Sequence, residues 1–83
     1  MTDLDIRTII HHELRRIAPD IDVAAIHLDG DLREECDIDS MDFLNLIAAL
    51  HQRLGVDVPE RDYRKLITLN GAVDYLQQKL AEA

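Results

Sequence analysis

Residues 40–54 read SMDFLNLIAALHQRL, and this stretch decides the fold. At about 100° per residue, its larger apolar side chains fall on one side of a helix: Phe43, Leu46, Ile47, Leu50 and Leu54. Asp39 or Ser40 can cap the start of this helix, and Gly55 suits its end. A helix with an apolar stripe needs packing partners, so the remaining chain is expected to supply further helices.

The same helix carries a second apolar stripe, roughly 120° away by the same arithmetic. It contains Met41, Leu44 and Ala48, and Ser40 stands at its head. Apolar surface that a small core does not use is a candidate docking surface. The alternative is that Met41 and Leu44 only widen the core face.

A first helix is predicted from about Asp3 to Ala18, because apolar residues recur there at helical spacing: Ile6, Ile9, Ile10, Leu14 and Ile17. Thr2 and Asp5 form a capping-box pattern at its start, and Pro19 stops it.

Two further helical segments follow the second helix. Pro59 opens a short third one over roughly residues 60–66. Thr68 is expected to cap a last helix that continues to about Leu80. Its apolar face contains Val73, Leu76 and Leu80, with Leu69, Ala72 and Tyr75 close by.

A long connection, residues 19–39, joins the first two helices and contains the turn signal Asp29-Gly30-Asp31. A short helical turn is possible over residues 23–27. The apolar residues expected to anchor the connection to the core are Ile21, Val23, Ile26, Leu28 and Leu32. We therefore predict an all-α fold: a four-helix bundle with a long first loop and a short third helix, forming a single domain over residues 1–83.

Acidic residues outnumber lysine and arginine 17 to 9, giving a net charge of −8. Nucleic acid and anionic membrane surfaces would repel such a chain, and a basic protein partner is its natural complement. The alternative is that the charge only maintains solubility. Cys36 is the sole cysteine, the N-terminal residues are acidic, and no apolar run approaches a membrane span, so we expect a cytoplasmic protein.

Acidic side chains crowd the approach to Ser40: Asp29, Asp31, Glu34, Glu35, Asp37, Asp39 and Asp42. Their spacing does not fit a calcium-binding EF-hand loop, so no dedicated metal site is expected, although weak divalent binding stays open. Cys36 has no catalytic context and is interpreted as a core filler. The pair His11-His12 is interpreted as a solvated or half-buried pair on a helix rather than a metal site. We expect no catalytic residues.

The segment Asp37-Ile38-Asp39-Ser40-Met41-Asp42 resembles the attachment motif of the acyl carrier protein family, usually G-x-D-S-L-D/E. The helices and loops on both sides match as well, so the resemblance covers nearly the whole chain. It implies that Ser40 carries 4′-phosphopantetheine, taken from coenzyme A, through a phosphodiester bond. The alternative is that Ser40 is a plain N-cap serine.

The same resemblance implies roles for the neighbours of Ser40. Asp39 would be a recognition or metal-facing carboxylate for the transferase that loads the arm. Partner enzymes would dock on the start of the second helix, at Met41, Asp42, Leu44, Asn45 and Ala48. The thiol of the arm, rather than Cys36, would hold the acyl group as a thioester.

The function implied is that of a non-enzymatic, monomeric carrier of acyl intermediates. Its partners would be a phosphopantetheinyl transferase and acyl-loading and acyl-processing enzymes with basic docking surfaces, in fatty-acid, polyketide or related biosynthesis. The alternatives are a stand-alone peptidyl or aminoacyl carrier, and an unmodified helical adaptor of the same fold.

Several positions depart from the usual pattern and point to a specialised carrier. Asp37 replaces the glycine of the motif, Cys36 and Met41 replace leucines, and Asn45 replaces a frequent acidic residue. His51 and Arg53 make the end of this helix less acidic.

The resemblance also implies a cleft in which the acyl chain can fold back between the helices. The residues expected near it are Leu32, Leu50, Val58, Leu66, Ala72 and Tyr75. Tyr63 stands where many members have a small residue, and its ring either fills this cleft or lies at the surface. An inward ring predicts a preference for short or polar acyl groups.

Overall fold

A computed structural model describes residues 2–82. Helices form nearly all the regular structure of these residues. They are α1 (Asp3–Ile17), α2 (Leu32–Glu35), α3 (Ser40–Leu54) and α4 (Leu69–Glu82), with 3₁₀ helices at Val23–Ala25 and Glu60–Leu66. Within residues 2–82 there is no strand, only an isolated bridge between Asp31 and Thr68. The all-α prediction is therefore confirmed, and the short third helix is a 3₁₀ helix. None of the described helices is long and apolar enough to cross a bilayer.

The helix ends follow the local signals in the sequence. The amide of Asp5 donates to Thr2 Oγ1 at 3.2 Å, and the amide of Thr2 donates to Asp5 Oδ2 at 3.3 Å, which completes a capping box. Thr68 Oγ1 accepts from the amide of Gly71 at 2.9 Å near the start of α4. Gly55 ends α3 in the left-handed region, with φ 68°. The first helix ends at Ile17 and the last continues to Glu82, within two residues of the predicted ends.

The core lies where α1 packs against both α3 and α4. The central stripe of α3 is buried, with exposed fractions of 6% for Phe43, 2% for Leu46, 5% for Ile47 and 1% for Leu50. The largest fully buried side chains of the two neighbouring helices are Ile6, Ile10, Leu14, Leu69 and Leu76. These are the apolar faces that the helical spacing predicted.

The long connection is fastened to the start of α4 mainly by backbone groups. The amide of Leu32 donates to the carbonyl of Ile67 at 2.8 Å, and the amide of Asn70 donates to the carbonyl of Leu28 at 3.0 Å. The side chain of Asn70 also donates to Asp29 Oδ1 at 2.9 Å. The side chain of Leu28 is 43% exposed, so the prediction that it anchors the connection in the core is wrong. Its carbonyl makes the anchor instead.

Two details of the connection differ from the prediction. The helical turn expected over residues 23–27 is shorter, a 3₁₀ helix at Val23–Ala25. The helix α2 was not predicted, because four residues are too few to show a helical repeat. Asp31 caps α2 by accepting the amide of Arg33 at 2.9 Å.

The end of α2 is a Schellman turn that redirects the chain toward α3. The amide of Ile38 donates to the carbonyl of Arg33 at 3.0 Å, and the amide of Asp37 donates to the carbonyl of Glu34 at 3.4 Å. Asp37 lies in the left-handed region, with φ 52°, and within residues 2–82 it is the only residue other than glycine to do so. Glycine is the usual residue at this position of the turn. The left-handed backbone at residue 37 therefore explains why the motif usually has glycine at this position.

A buried phenol joins the second 3₁₀ helix to α4. The Tyr75 hydroxyl donates to Asp62 Oδ2 at 2.7 Å. Burial, and then the hydrogen bond to Asp62, raise the pKa of Tyr75 to about 12. The two elements also approach closely at Gly71, where a Cβ atom would lie 2.5 Å from the carbonyl oxygen of Lys65. The hydrogen bond from Tyr75 holds the second 3₁₀ helix against α4, and the absence of a side chain at Gly71 allows the two backbones to come this close.

We expect Asp37→Gly to stabilise the fold by about 0.5–1 kcal/mol, because glycine adopts the left-handed conformation without a steric cost. Urea unfolding measures the change. Asp37→Ala is the matched control, since it removes the same charge and keeps a Cβ atom. Equal stabilisation by both variants would mean that relief of charge repulsion, and not backbone conformation, is the cause.

We expect the stability contributed by Tyr75 to be pH-dependent at the alkaline end. Its folded pKa of about 12 lies above the ordinary value of 10, so this contribution is complete below pH 10 and is lost as the pH approaches 12. The variant Tyr75→Phe has no ionisable side chain at position 75, so its stability lacks this pH dependence. The unfolding free energies of the two proteins, compared by urea titration from pH 8 to pH 12, should therefore converge above pH 10. A constant difference over this range would contradict the prediction.

Candidate functional site

Ser40 is the first residue of α3 and is exposed to solvent. The cap of α3 is supplied by Asp39, whose Oδ1 atom accepts from the amide of Asp42 at 2.8 Å. The alternative that Ser40 is a plain N-cap serine is therefore wrong. Its hydroxyl instead lies at a helix N-terminus, where free N–H groups and the helix dipole favour a phosphate group.

Alternating burial in the preceding residues holds this segment in place. Cys36 and Ile38 are 3% and 8% exposed and belong to the core, whereas Asp37 and Asp39 are exposed. The Schellman turn at Asp37 fixes the direction in which the chain enters α3. The segment before Ser40 is thus anchored to the core at every second residue.

Cys36 is a core side chain, as predicted. Burial, and to a smaller extent the charge of Glu35, raise the pKa of its thiol above the usual value. A raised pKa leaves little thiolate at neutral pH, so Cys36 is a poor nucleophile. Over residues 2–82, no three histidine, cysteine, aspartate or glutamate side chains are grouped closely enough to hold a metal ion.

The second stripe of α3 is open to solvent. Met41 is 67% exposed, Leu44 is 42% exposed, and Ala48 is exposed. The alternative that Met41 and Leu44 widen the core face is therefore wrong. Exposed apolar side chains that adjoin Ser40 form a surface suited to a partner protein.

Three of the residues predicted for docking, Leu44, Asn45 and Ala48, line two different grooves. Leu44 and Ala48 line a groove of about 370 Å³ together with Val58 and Tyr63, which we call the outer groove. Asn45 lines a groove of about 320 Å³ on the side of α1, and Ala48 borders this one too. Ala48 thus lies on the ridge between them. Leu44 and Asn45 are consequently presented to different sides of α3.

Several of the acidic residues near Ser40 have structural partners. Asp31 binds Arg33 through two side-chain contacts, at 2.8 and 3.1 Å, and these hydrogen bonds lower the pKa of the Asp31 carboxyl. Glu35 Oε1 accepts from the amide of His27 at 2.6 Å, and Asp29 accepts from Asn70. Part of the acidic cluster therefore holds the loop together.

Sequence reasoning missed one charged residue that positions α3. Glu13 is 2% exposed, and it accepts from Arg53 at 3.1 Å and from Arg16 at 3.5 Å. The contact with Arg53 ties α1 to the far end of α3. The available signal was that Glu13 follows Ile10 by three residues and so falls on the apolar stripe of α1.

The residues expected to line an acyl cleft lie mostly in the packed core. The buried ones are Leu32, Leu50, Leu66, Ala72 and Tyr75. Tyr63 is half-buried and lines the outer groove with Val58 and Leu44, so its ring borders that groove. The preference for short or polar acyl groups stays a prediction.

Comparisons with known proteins agree with this geometry. Residues 5–76 match the family model described as "Phosphopantetheine attachment site". An acyl carrier protein of Campylobacter hominis is 29% identical over 73 residues, which cover 88% of this chain and 86% of that protein. An acyl carrier protein of Helicobacter acinonychis is 28% identical over 78 residues, 93% of this chain and 94% of the relative. The solved structure of the acyl carrier protein from Enterococcus faecalis has a TM-score of 0.63 at 20% identity, over 84% of this chain and 96% of that one, and supports the fold.

We expect aspartate to have opposite consequences on the two stripes of α3. Leu50→Asp buries a charge at a position that is 1% exposed and should unfold the protein. Leu44→Asp places the same charge at a position that is 42% exposed and should change the melting temperature little. Circular dichroism during heating measures both variants. Equal destabilisation would contradict the assignment of two separate stripes.

Proposed function

Because this chain belongs to the acyl carrier protein family, a family of carriers that bear covalent 4′-phosphopantetheine, we propose that Ser40 is the residue loaded with it. The observation that carries this proposal is the exposed Ser40 hydroxyl at the start of α3, beside a cap that another residue supplies. Ser40 is also the only serine in the chain.

The surroundings of Ser40 suit a hydroxyl that is modified by another enzyme. In forming the phosphodiester, the Ser40 oxygen attacks the pantetheine-bearing phosphorus of coenzyme A, the pyrophosphate bond breaks, and adenosine 3′,5′-bisphosphate leaves. The hydroxyl proton must pass to a base. The neighbouring carboxylate of Asp39 already accepts the amide of Asp42. The base therefore comes from the transferase, while the N-terminal amides of α3 stabilise the phosphate that is attached. When bound, the arm supplies a thiol that holds acyl groups as thioesters.

Asp39 has a second role in this proposal, as a carboxylate that the transferase or its metal ion recognises. Two observations support it: Asp39 is exposed, and it directly precedes Ser40. Its use as a helix cap fixes the orientation of the carboxylate relative to the hydroxyl. A side chain held in this way is a dependable recognition point, because little conformational entropy is lost on binding.

Partner enzymes dock on the exposed face of α3 that begins at Ser40. Apolar contact is offered by Met41, Leu44 and Ala48, and polar contact by Asp42 and Asn45. The net charge of −8 favours partners with basic docking surfaces and increases their rate of encounter. These partners are the phosphopantetheinyl transferase and the enzymes that load and process the acyl group.

The carrier acts as a monomer in the cytoplasm and presents acyl intermediates to fatty-acid, polyketide or related biosynthetic enzymes. A single cysteine that is buried and unpaired is consistent with a reducing compartment. A flexible arm brings one acyl group to several enzymes in turn, because tethering raises its effective concentration at each.

We expect Ser40→Ala to abolish loading and to leave the fold intact. Intact mass spectrometry after incubation with coenzyme A, magnesium and a broad-specificity transferase should show one added phosphopantetheine on the wild type and none on the variant. Because Asp39 supplies the cap, the variant should lose less than the roughly 0.5–2 kcal/mol typical of a lost cap. Thr8→Ala, which removes a hydroxyl from α1, is the control and should load normally. A loaded Ser40→Ala protein would overturn the assignment, and an unloaded wild type would favour the unmodified adaptor.

A further inference from the structure

A groove of about 530 Å³ lies beside the start of α3, between the end of α1 and the long connection. We call it the loop groove. Its apolar wall contains the half-buried Ile17 and Ile21 and the buried Ile26, Cys36 and Ile38. Its volume falls within the range of small-molecule sites, which are mostly apolar with a few polar groups.

The loop groove is directly accessible from the proposed attachment residue. Ile38 and Asp42 both line it, and each is two residues from Ser40. Two residues span about 3 Å along a helix and about 7 Å in an extended chain. A flexible arm attached at Ser40 can fold back over this short distance, and tethering holds its end at high effective concentration beside the groove.

The charged residues that line the loop groove are all acidic: Asp20, Asp22, Glu35, Asp37 and Asp42. No lysine, arginine or histidine is among its lining residues. Arg33, the arginine of the connection, is held by Asp31 through contacts of 2.8 and 3.1 Å. The groove thus combines an apolar wall with a strongly negative rim.

The outer groove on the other side of α3 is different in charge. Its single acidic lining residue is Asp57, and Asp57 Oδ1 lies 3.3 Å from Nδ1 of His51, which lines the same groove. The same His51 nitrogen donates to the carbonyl of Val56 at 2.9 Å. The outer groove therefore offers apolar contact with little net charge.

We infer that the loop groove receives the end of the loaded arm and that its rim favours acyl groups with a protonated amine, which are aminoacyl thioesters. This inference rests on the proposed attachment at Ser40. An ammonium ion gains from nearby carboxylates, and a small aliphatic side chain fits the apolar wall. An acyl group that ends in a carboxylate is repelled by the same rim.

An isosteric pair of acyl groups separates charge from size. Alanyl and isobutyryl groups have the same shape and differ in one position, which is ammonium in the first and methyl in the second. Each is attached to the isotope-labelled protein through an amide-linked, non-hydrolysable pantetheine analogue, and mass spectrometry verifies complete loading. Amide chemical shifts are then compared with those of the protein loaded with the unacylated arm.

The alanyl group should shift the amides of Ile21, Ile38 and Asp42, with an occupancy about fivefold above that of the isobutyryl group. Raising the salt to about 1 M should remove most of this difference, since the Debye length falls to about 3 Å. Equal shifts from both groups, or alanyl shifts at Leu44, Val58 and Tyr63 instead, would overturn the inference.

The double variant Asp20→Asn/Asp37→Asn should reduce the alanyl shifts to the isobutyryl level, and asparagine keeps the left-handed conformation at residue 37 accessible. The control Asp3→Asn/Asp74→Asn removes the same net charge from exposed positions outside the loop groove and should retain the difference. Equal effects of both variants would also overturn the inference. Failure of loading at Ser40 appears in the mass spectrum beforehand, so it overturns the proposed function through a separate measurement.

Discussion

Burial of one face of α3 in the core, where it packs against α1, fixes the position of everything around Ser40. Fully burying a side chain such as Leu46 or Leu50 contributes roughly 1.5–3 kcal/mol, so the helix cannot rotate without a large loss. Since neighbouring residues are about 100° apart, a fixed inner face also fixes which residues point outward. Met41 and Leu44 are exposed for this reason, and the proposed docking surface is a consequence of how the core is packed.

Sequence periodicity was sufficient for the long helices, because their apolar faces repeat over several turns. It failed where the determinants are short or distant. The helix α2 has four residues and shows no repeat, and Leu28 was assigned to the core although only its backbone makes the contact. The pairing of buried Glu13 with Arg53 spans 40 positions, and no local pattern indicates such a contact.

The charged residues near Ser40 show that sequence-based prediction of the site is limited in the same way. The sequence gives their number but not their partners, and several of them hold the connection together rather than face solvent. Asp31 binds Arg33, Glu35 accepts the amide of His27, and Asp39 caps α3. The motif itself was readable from sequence, because D-S-M at a helix start is a local pattern. Which groove adjoins Ser40 was not, because the loop groove is assembled from α1, the connection and α3.

The fastening of the long connection to α4 bears on how the chain matures during synthesis. Asn70 and Asp29, which hold the two parts together, are 41 positions apart. A ribosome releases the chain from its N-terminal end, so Ser40 emerges well before the residues that complete its surroundings. Until α4 arrives, the connection lacks its backbone anchors at Leu28 and Leu32. An enzyme that recognises the finished shape around Ser40 therefore acts only once α4 has emerged and packed, and a chain truncated before α4 presents the serine without that shape.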